Sequence, residues 1–209
     1  MTEPARRRRL DPQVRRDLIL DEAARVVLAD GLSAVSMEGI GRAAGVSKAL
    51  VYNYFPTKSA LLAELLVREY RSFQTRARAA AEGHADFETL IRVTTRAYLQ
   101  HVIERGALIQ RLMGEPAAAQ AVRSADDEGR AATVDFFARA VQREFGLPSA
   151  TASTAVDLLM GMTGAAGDHL VRSGGDARSV EDIVVGMIMA ALHRLADAEP
   201  RGEAVATRA

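Results

Sequence analysis

Cysteine and tryptophan are both absent from this 209-residue chain, and aromatic residues make up only 5% of it. Without cysteine the chain forms neither disulfides nor thiolate metal sites. Long apolar segments are missing too, since the two longest near-apolar runs, Leu158 to Gly167 and Ile183 to Leu192, each cover 10 residues. A membrane-spanning helix needs about 20. The sequence therefore predicts a protein without a disulfide framework and without membrane spans.

Patterns that carry catalysis are lacking as well. No carboxylates are paired for acid–base chemistry, and no nucleophile has an adjacent base. The histidines are too scattered along the chain to form a metal site; they are His84, His101, His169 and His193. We therefore expect no enzyme activity, no catalytic residue, no metal and no cofactor.

An excess of one charge sign is also absent, since 27 basic residues balance 27 acidic ones. The distribution is nevertheless uneven. Residues 1–58 carry 10 basic and 7 acidic side chains, a net charge of +3, and the remainder carries 17 and 20, a net charge of −3. The basic end includes the run from Arg6 to Arg9, which no apolar stretch follows as a signal peptide would require. We therefore expect a cytoplasmic protein with its positive charge concentrated at one end.

Helix signals begin at Asp11. Asp11 followed by Pro12 is typical of a helix start, and Gly31 is typical of a helix end. Apolar residues recur between them at the spacing of one buried helix face. They are Ile19, Ala23, Val26 and Val27. The first helix is therefore predicted with both of its ends.

Two short helices are predicted next, from the N-cap Ser36 to about Ala44 and from the N-cap Ser47 to Phe55. Gly45 separates them, because a tight turn between helices favours a residue that tolerates positive φ. Two helices of about two turns joined at a glycine form a helix-turn-helix. The sequence predicts this motif at about residues 36–55.

A long fourth helix is predicted from Lys58, with Thr57 as its cap. Glycine and proline breakers separate further predicted helices at about 86–104, 106–113, 117–145, 149–172 and 179–198. No segment shows the alternation of a strand, so the predicted fold class is all-α. The predicted domains are a flexible arm (1–10), a helix-turn-helix domain (11–57), a helical bundle (58–198) and a tail (199–209).

Residues 36–58, which read SMEGIGRAAGVSKALVYNYFPTK, resemble the N-terminal signature of the tetracycline-repressor (TetR) family. In that signature two short helices are followed by an aromatic pair and a lysine, here Lys58. The resemblance covers about 45 residues, from Ile19 to Leu65, and the rest of the chain is similar to the family only in length and helix count. It implies a homodimeric DNA-binding repressor whose bundle takes up a small effector.

The third helix has the physical properties expected of a helix that enters DNA. A short helix with a polar cap, an early lysine, small side chains and projecting tyrosines fits a major groove about 12 Å wide. Val51 and Phe55 lie four residues apart and are expected to face inward, which leaves the other face toward DNA. The resemblance implies DNA contacts from Ser36, Ser47, Lys48, Ala49, Leu50, Tyr52, Asn53, Tyr54 and Lys58.

The chain departs from the family pattern at Ala49 and Leu50, where glycine and a small polar residue are more usual. Because a leucine makes no hydrogen bond to a base, we expect Leu50 to pack on a thymine methyl group or a sugar. Alternative roles stay open for two tyrosines and for the basic run. Tyr52 and Tyr54 are alternatively core aromatics, and the run from Arg6 to Arg9 is either an arm that contacts DNA or a solubilising tail.

Small and flexible apolar residues are concentrated in the last two predicted helices. They are Met160, Met162, Met187 and Met189, with Gly161, Gly164 and Gly167. In the resembled family the last two helices form a four-helix interface with a second copy, and such residues suit a tight self-complementary patch. The resemblance therefore implies a homodimer, and packing within one chain is the alternative role of these residues.

The resemblance also implies a pocket among the middle helices for a small hydrophobic or amphipathic effector. Its candidate residues are Tyr98, His101, Met113, Phe136, Phe137 and Thr163. His101 is alternatively a structural histidine on a largely apolar helix.

Two other functions stay open. The first is a helical small-molecule-binding protein or enzyme whose N-terminal helices only pack, which predicts no salt-dependent affinity for DNA. The second is a DNA-binding regulator without a small effector, which responds to a protein partner or acts as an activator.

Overall fold

The computed structural model describes residues 11–84 and 86–199, and every regular element in that part of the chain is a helix. The helices are α1 (Pro12–Asp30), α2 (Met37–Ala43), α3 (Lys48–Tyr54), α4 (Lys58–Ala81), α5 (Phe87–Met113), α6 (Pro116–Phe145), α7 (Ser149–Ser173) and α8 (Ala177–Ala198), with a short 3₁₀ turn at Leu32–Ala34. The predicted all-α class is confirmed. The predicted arm (1–10) and all of the predicted tail beyond Glu199 lie outside the described residues.

The cap signals of α1 are confirmed. The Asp11 carboxylate accepts a hydrogen bond from the Gln13 amide at 2.8 Å, and Pro12 occupies the first turn. At the other end Gly31 has a φ of 83° and its amide donates to the Val27 carbonyl at 3.1 Å. Because L-residues rarely adopt such a φ, a glycine at this position ends the helix at little cost.

The last helix begins with the same kind of cap. The Asp176 carboxylate accepts hydrogen bonds from the Ser179 hydroxyl at 2.7 Å and from the Ser179 amide at 2.9 Å. These bonds favour the ionised form and lower the pKa of Asp176. Because Asp176 is the N-cap, α8 begins at Ala177 and not at the predicted residue 179.

The predicted break between helices at 86–104 and 106–113 is wrong. The structure has one continuous helix, α5, from Phe87 to Met113. Gly106 lies inside it, and a Cβ atom built there would approach Cγ2 of Val171 to 3.3 Å. A glycine within a helix costs about 1 kcal/mol relative to alanine, which tertiary packing easily offsets. The glycine at this position therefore permits close packing against α7 and does not end the helix.

Packing divides the described chain into two compact units. Unit 1 comprises residues 11–71 and 107–125, and unit 2 comprises residues 72–106 and 126–199. This division differs from the predicted domains, because the ends of α5 and α6 that meet at Gly114 belong to unit 1. Helices α4, α5 and α6 each contribute residues to both units.

The core of unit 1 joins α1–α4 to residues 108–118. Large side chains that are almost fully excluded from solvent form it, among them Ile19, Leu20, Ile40, Val51, Phe55, Leu62, Leu65, Leu108 and Leu112. Arg111 adds a polar link, because its guanidinium donates to the carbonyls of Val27 and Leu28 at 2.5 and 2.6 Å. Those carbonyls are at the C-terminal end of α1, where a cation is favoured. Residues 107–125 are thus part of the support of the short helices.

The core of unit 2 is made of apolar residues from α5 to α8, with Phe87, Val141, Val156, Val185, Ile188 and Leu192 among its buried members. One buried carboxylate, Glu181, is paired: the Arg96 guanidinium donates to its two oxygens at 2.7 and 2.8 Å. A buried charge with such a bidentate partner is satisfied, and the pair links α5 to α8. None of the described helices is long and apolar enough to cross a bilayer.

Candidate nucleic-acid interface

Two serine caps shape the short helices α2 and α3. The Ser36 hydroxyl accepts a hydrogen bond from the Gly39 amide at 3.1 Å, and the Ser47 hydroxyl accepts one from the Leu50 amide at 3.2 Å. Each cap satisfies one of the amides that a helix start leaves without a partner. Both predicted N-caps are confirmed, and both serines are exposed on the surface of unit 1.

The turn between α2 and α3 depends on two glycines. Gly45 has a φ of 68°, as the sequence predicts, and the Val46 amide donates to the Gly41 carbonyl at 2.8 Å. A Cβ atom built on Gly41 would lie 3.1 Å from both the Val46 carbonyl oxygen and Cγ2 of Val51. The first glycine supplies the backbone conformation, and the second permits the close approach of α3 to α2.

Helix α3 has a buried and an exposed face. Val51 is fully buried and Phe55, just after the helix, is 2% exposed, so the predicted inward pair is confirmed. The opposite face carries exposed side chains, which we call the outer face of α3: Lys48, Ala49, Tyr52 and Asn53. Leu50 is half-buried at its edge. A rigid helix that presents a lysine, an amide and a phenol to solvent has the groups that bind phosphates and base edges.

The two tyrosines of α3 differ in their surroundings. Tyr52 is 43% exposed, whereas Tyr54 is half-buried and packs against the core of unit 1. The Tyr54 ring lies 6.3 Å from the Phe55 ring, centroid to centroid. Tyr52 is thus not a core aromatic, and Tyr54 combines core packing with a partly accessible ring.

A shallow concavity of about 390 Å³ lies beside the outer face of α3. Its lining residues come from α2 and α3 and from the Ser36 cap: Ser36, Met37, Glu38, Gly39, Arg42, Lys48 and Tyr52. The Glu38 carboxylate lies 3.2 Å from the Arg42 guanidinium and 3.8 Å from the Lys48 ammonium. Glu38 and Arg42 are not among the residues that the sequence singles out. Their signal was the i, i+4 spacing of opposite charges on α2, which is also common on helices without any function.

Lys58 is half-buried and has a partner within unit 1. Its ammonium donates to the Leu32 carbonyl at 2.6 Å. Its helix begins with the predicted cap, because the Thr57 hydroxyl accepts from the Ala60 amide at 3.0 Å. An ammonium has three N–H donors, so two remain for a phosphate after the bond to Leu32. The phosphate contact of Lys58 stays a prediction.

The candidate effector residues do not form one cluster. Met113 belongs to unit 1, whereas the other five belong to unit 2. Phe136 and Phe137 pack edge to face with centroids 5.1 Å apart, and the Thr163 hydroxyl donates to the Leu159 carbonyl of its own helix at 3.1 Å. Tyr98 and His101 share a neighbour, the Phe73 ring.

Around Phe73 the structure builds a partly polar aromatic cluster. The rings of Tyr98 and His101 lie 5.7 and 5.0 Å from the Phe73 ring. The Arg76 guanidinium lies 2.6 Å from Nδ1 of the buried His101, and Nδ1 accepts because a guanidinium only donates. Burial raises the pKa of Tyr98, and the charge of Asp168 raises it further. In the described part of the chain no three histidine, aspartate or glutamate side chains come together as metal ligands.

The segment that contains α2 and α3 is similar in sequence to known regulatory proteins. Residues 19–65 match the family model described as bacterial regulatory proteins, tetR family. The HTH-type transcriptional regulator BetI of Rhizobium meliloti (strain 1021) is 39% identical over 92 residues, which are 40% of this chain and 43% of that protein. The match therefore spans less than half the length of that relative, and the rest of the chain is compared through solved structures.

Three solved structures are similar over most of this chain. A tetR-family transcriptional regulator from Streptomyces coelicolor has a TM-score of 0.68 and 20% identity, with 90% of this chain and 84% of that one covered. FrrA, described as a flavonoid-responsive regulator, has a TM-score of 0.66 and 24% identity, with 90% of this chain and 99% of that one covered. FadR from Bacillus halodurans, a fatty acid degradation regulator, has a TM-score of 0.64 and 16% identity, with 87% of this chain and 96% of that one covered. These likenesses show a shared fold, and residues 19–65 carry the signature of the tetR family of bacterial regulatory proteins.

Proposed function

We propose that this chain is a cytoplasmic transcriptional repressor that binds operator DNA as a homodimer through the outer face of α3. The observation that carries the proposal is the outer face itself: an exposed Lys48, Tyr52 and Asn53 on a helix whose opposite side buries Val51. A helix fixed in this way enters a major groove with its side chains already oriented.

The exposed faces of α7 and α8 support a dimer. On α8 the exposed residues Ile183, Gly186, Met187 and Ala190 follow the spacing of one helix face, and on α7 Leu158, Gly161 and Ala165 do the same. Leu158 is 70% exposed and Ile183 is 61% exposed. A Cβ atom built on Gly161 or Gly186 would meet no atom within 4 Å. Such an apolar stripe with small residues fits a second copy of the same stripe, as a two-fold interface requires.

A dimer is also what specific binding needs. One helix of seven residues, α3, contacts few base pairs. Two such helices on a two-fold axis contact two half-sites about one helical turn apart and thereby roughly double the contacts. The four methionines of α7 and α8 take two different positions. Met187 lies in the exposed stripe, and Met160, Met162 and Met189 pack against the core of unit 2.

The proposed signal is a small hydrophobic or amphipathic effector that binds unit 2 and lowers operator affinity. The similarity of fold to a flavonoid-responsive regulator and to a fatty acid degradation regulator supports an effector of this kind. The aromatic cluster of Phe73, Tyr98 and His101 offers stacking surfaces with polar edges. Because α4, α5 and α6 contribute to both units, a ligand that shifts these helices in unit 2 acts on unit 1 through the same helices.

Selection of bound DNA from a random pool tests the DNA-binding proposal. We expect the full chain to enrich an inverted repeat whose half-sites are about 10 base pairs apart, centre to centre. A variant with Tyr52→Ala and Asn53→Ala is expected to lose the enrichment, whereas Arg25→Ala, on α1, keeps it. A pool that stays random after selection would contradict the proposal.

Calorimetry tests the effector. Thermodynamic coupling is reciprocal, so an effector that weakens operator binding about 5- to 150-fold must itself bind that much more weakly to the operator complex. A flavonoid and a long-chain fatty acid are each titrated with and without operator. Equal affinities in the two titrations of a ligand that binds would contradict the repressor mechanism, and would favour a regulator that is controlled in another way.

A further inference from the structure

Glu38 lies on the proposed DNA-binding surface with the opposite charge to its neighbours. Its carboxylate is flanked by the Arg42 guanidinium at 3.2 Å, one turn along α2, and by the Lys48 ammonium of α3 at 3.8 Å. All three side chains are more than half exposed and line the concavity beside Tyr52. A carboxylate among these cations weakens the attraction of the surface for phosphates, so phosphate binding alone does not account for it.

Glu38 contributes little to the stability of the fold. Its place in the first turn of α2 favours a carboxylate by less than about 1 kcal/mol. Exposed ion pairs such as those to Arg42 and Lys48 contribute at most about 1 kcal/mol each, and salt weakens them further. The caps and the buried side of α3 hold the two helices without it. A carboxylate in this position therefore acts chiefly on whatever approaches the concavity.

Against DNA the effect of a carboxylate depends on what faces it. Phosphates repel it, and so do the acceptor atoms of guanine and thymine on the major-groove edge. The amino groups of cytosine and adenine both donate on that edge, but adenine also presents the acceptor N7 beside its amino group, so the cytosine edge suits a carboxylate best. The carboxylate also holds Lys48 and Arg42 in ion pairs, so these cations are less available to phosphates when no suitable base is present.

We infer that Glu38 is a specificity-determining residue, which accepts a hydrogen bond from a cytosine amino group in each operator half-site and weakens binding to all other DNA. The inference rests on the proposed operator binding. Its basis is the placement of one exposed carboxylate between the cations of α2 and α3, beside the outer face of α3.

The test compares E38Q with the parent chain and with E22Q. Glutamine has nearly the shape of glutamate but no charge, and it both donates and accepts. E22Q makes the same change in charge at Glu22, which pairs with Arg25 on α1 at 2.8 Å and does not line the concavity. Affinities are measured for a selected operator and for a random duplex of equal length over a series of salt concentrations, and the selection is repeated with E38Q.

We expect E38Q to bind the random duplex about three- to tenfold more tightly than the parent, with a steeper salt dependence. The operator is bound about tenfold more weakly, and the enrichment of cytosine at one half-site position disappears in the repeated selection. E22Q keeps the parent ratio of the two affinities.

Two outcomes would overturn the inference. If E38Q and E22Q change both affinities by the same factor, Glu38 contributes only overall charge. If E38Q lowers the melting temperature but leaves the ratio of affinities and the selected sequence unchanged, its role is structural. A parent chain without salt-dependent affinity for any duplex would instead refute the proposed function, and this inference with it.

Discussion

The two compact units of this chain differ in how completely they bury their large apolar side chains. Most of the large side chains that are fully buried lie in unit 1, namely Ile19, Leu20, Val27, Ile40, Val51, Leu61, Leu62, Leu65, Leu108 and Leu112. Leu99 and Leu192 are their counterparts in unit 2. The most exposed large apolar residues, Leu158, Ile183, Ile103 and Met187, all belong to unit 2.

This difference indicates that unit 1 buries its large apolar residues within one chain, whereas unit 2 leaves several of them on its surface. An apolar stripe on two adjacent helices costs solubility unless something covers it. We interpret unit 1 as a rigid platform for α2 and α3, and the α7–α8 face of unit 2 as one half of an interface. Substitutions in the two units should accordingly act on different properties.

The largest effect is expected from Ile183→Glu in α8. A charge in the centre of the proposed interface should convert the dimer to a monomer, because two carboxylates would be buried against apolar partners. Losing the second half-site should lower operator affinity at least about 100-fold. Sedimentation and operator titration measure both effects. The control is Ile103→Glu on α5, which is 56% exposed and lies outside the α7–α8 stripe. A dimeric Ile183→Glu variant would show that another surface joins the copies.

Leu62→Ala should have the next largest effect, and it tests the platform. Leu62 is fully buried in the core of unit 1, so truncation removes apolar contacts and leaves a cavity. We expect a loss of about 2–5 kcal/mol in the free energy of unfolding, measured with denaturant. Leu158→Ala on the exposed stripe should cost less than about 1 kcal/mol when the protein is monomeric, as it is in an Ile183→Glu background. Equal losses of unfolding free energy at Leu62 and Leu158 would contradict the claim that unit 1 is packed more completely than the exposed face of unit 2.

Gly45→Val should destabilise unit 1 by roughly 1–3 kcal/mol. Gly45 has a φ of 68°, where a β-branched residue is strained, although a Cβ atom there would meet no other atom within 4 Å. Gly45→Asn is the matched variant, because asparagine tolerates this conformation, and it should retain most of the stability. Thermal unfolding and operator affinity check both variants. If valine is tolerated as well as asparagine, the turn does not depend on backbone conformation.

The smallest effects are expected from the two lysines. Lys48→Ala and Lys58→Ala should each lower the slope of log affinity against log salt by about one unit per half-site, because each removes one phosphate contact. Only Lys58→Ala should also lower stability, on the order of 1 kcal/mol, since it loses the bond to the Leu32 carbonyl. An unchanged salt slope for either variant would place that lysine outside the interface.

Local signals made the short helices predictable from the sequence. Asp11, Ser36 and Ser47 are caps whose partners lie two or three residues away, and the φ of Gly45 follows from the turn that it makes. Val51 and Phe55 could be placed inward for the same reason, because four residues bring side chains to one face of a helix. The starts of α1, α2 and α3 and the turn at Gly45 therefore need no long-range information.

Features that depend on distant residues were not predictable. Gly106 looks like a helix breaker in the sequence, and only its packing against Val171 of α7 explains why α5 continues through it. The bonds from Arg111 to the end of α1 span more than 80 residues, so no local pattern groups residues 107–125 with the short helices. The approach of Glu38 to Lys48 likewise depends on how α3 packs on α2.

Operator binding by the outer face of α3 is tested most directly by affinity. The full-length parent chain is titrated with a selected duplex and with a random duplex of equal length, between about 50 and 200 mM salt. We predict that log affinity falls linearly with log salt for both duplexes and that the selected one is bound at least about 1,000-fold more tightly. Equal affinity for the two duplexes, or affinity that does not change with salt, would contradict the claim that the outer face of α3 binds operator DNA.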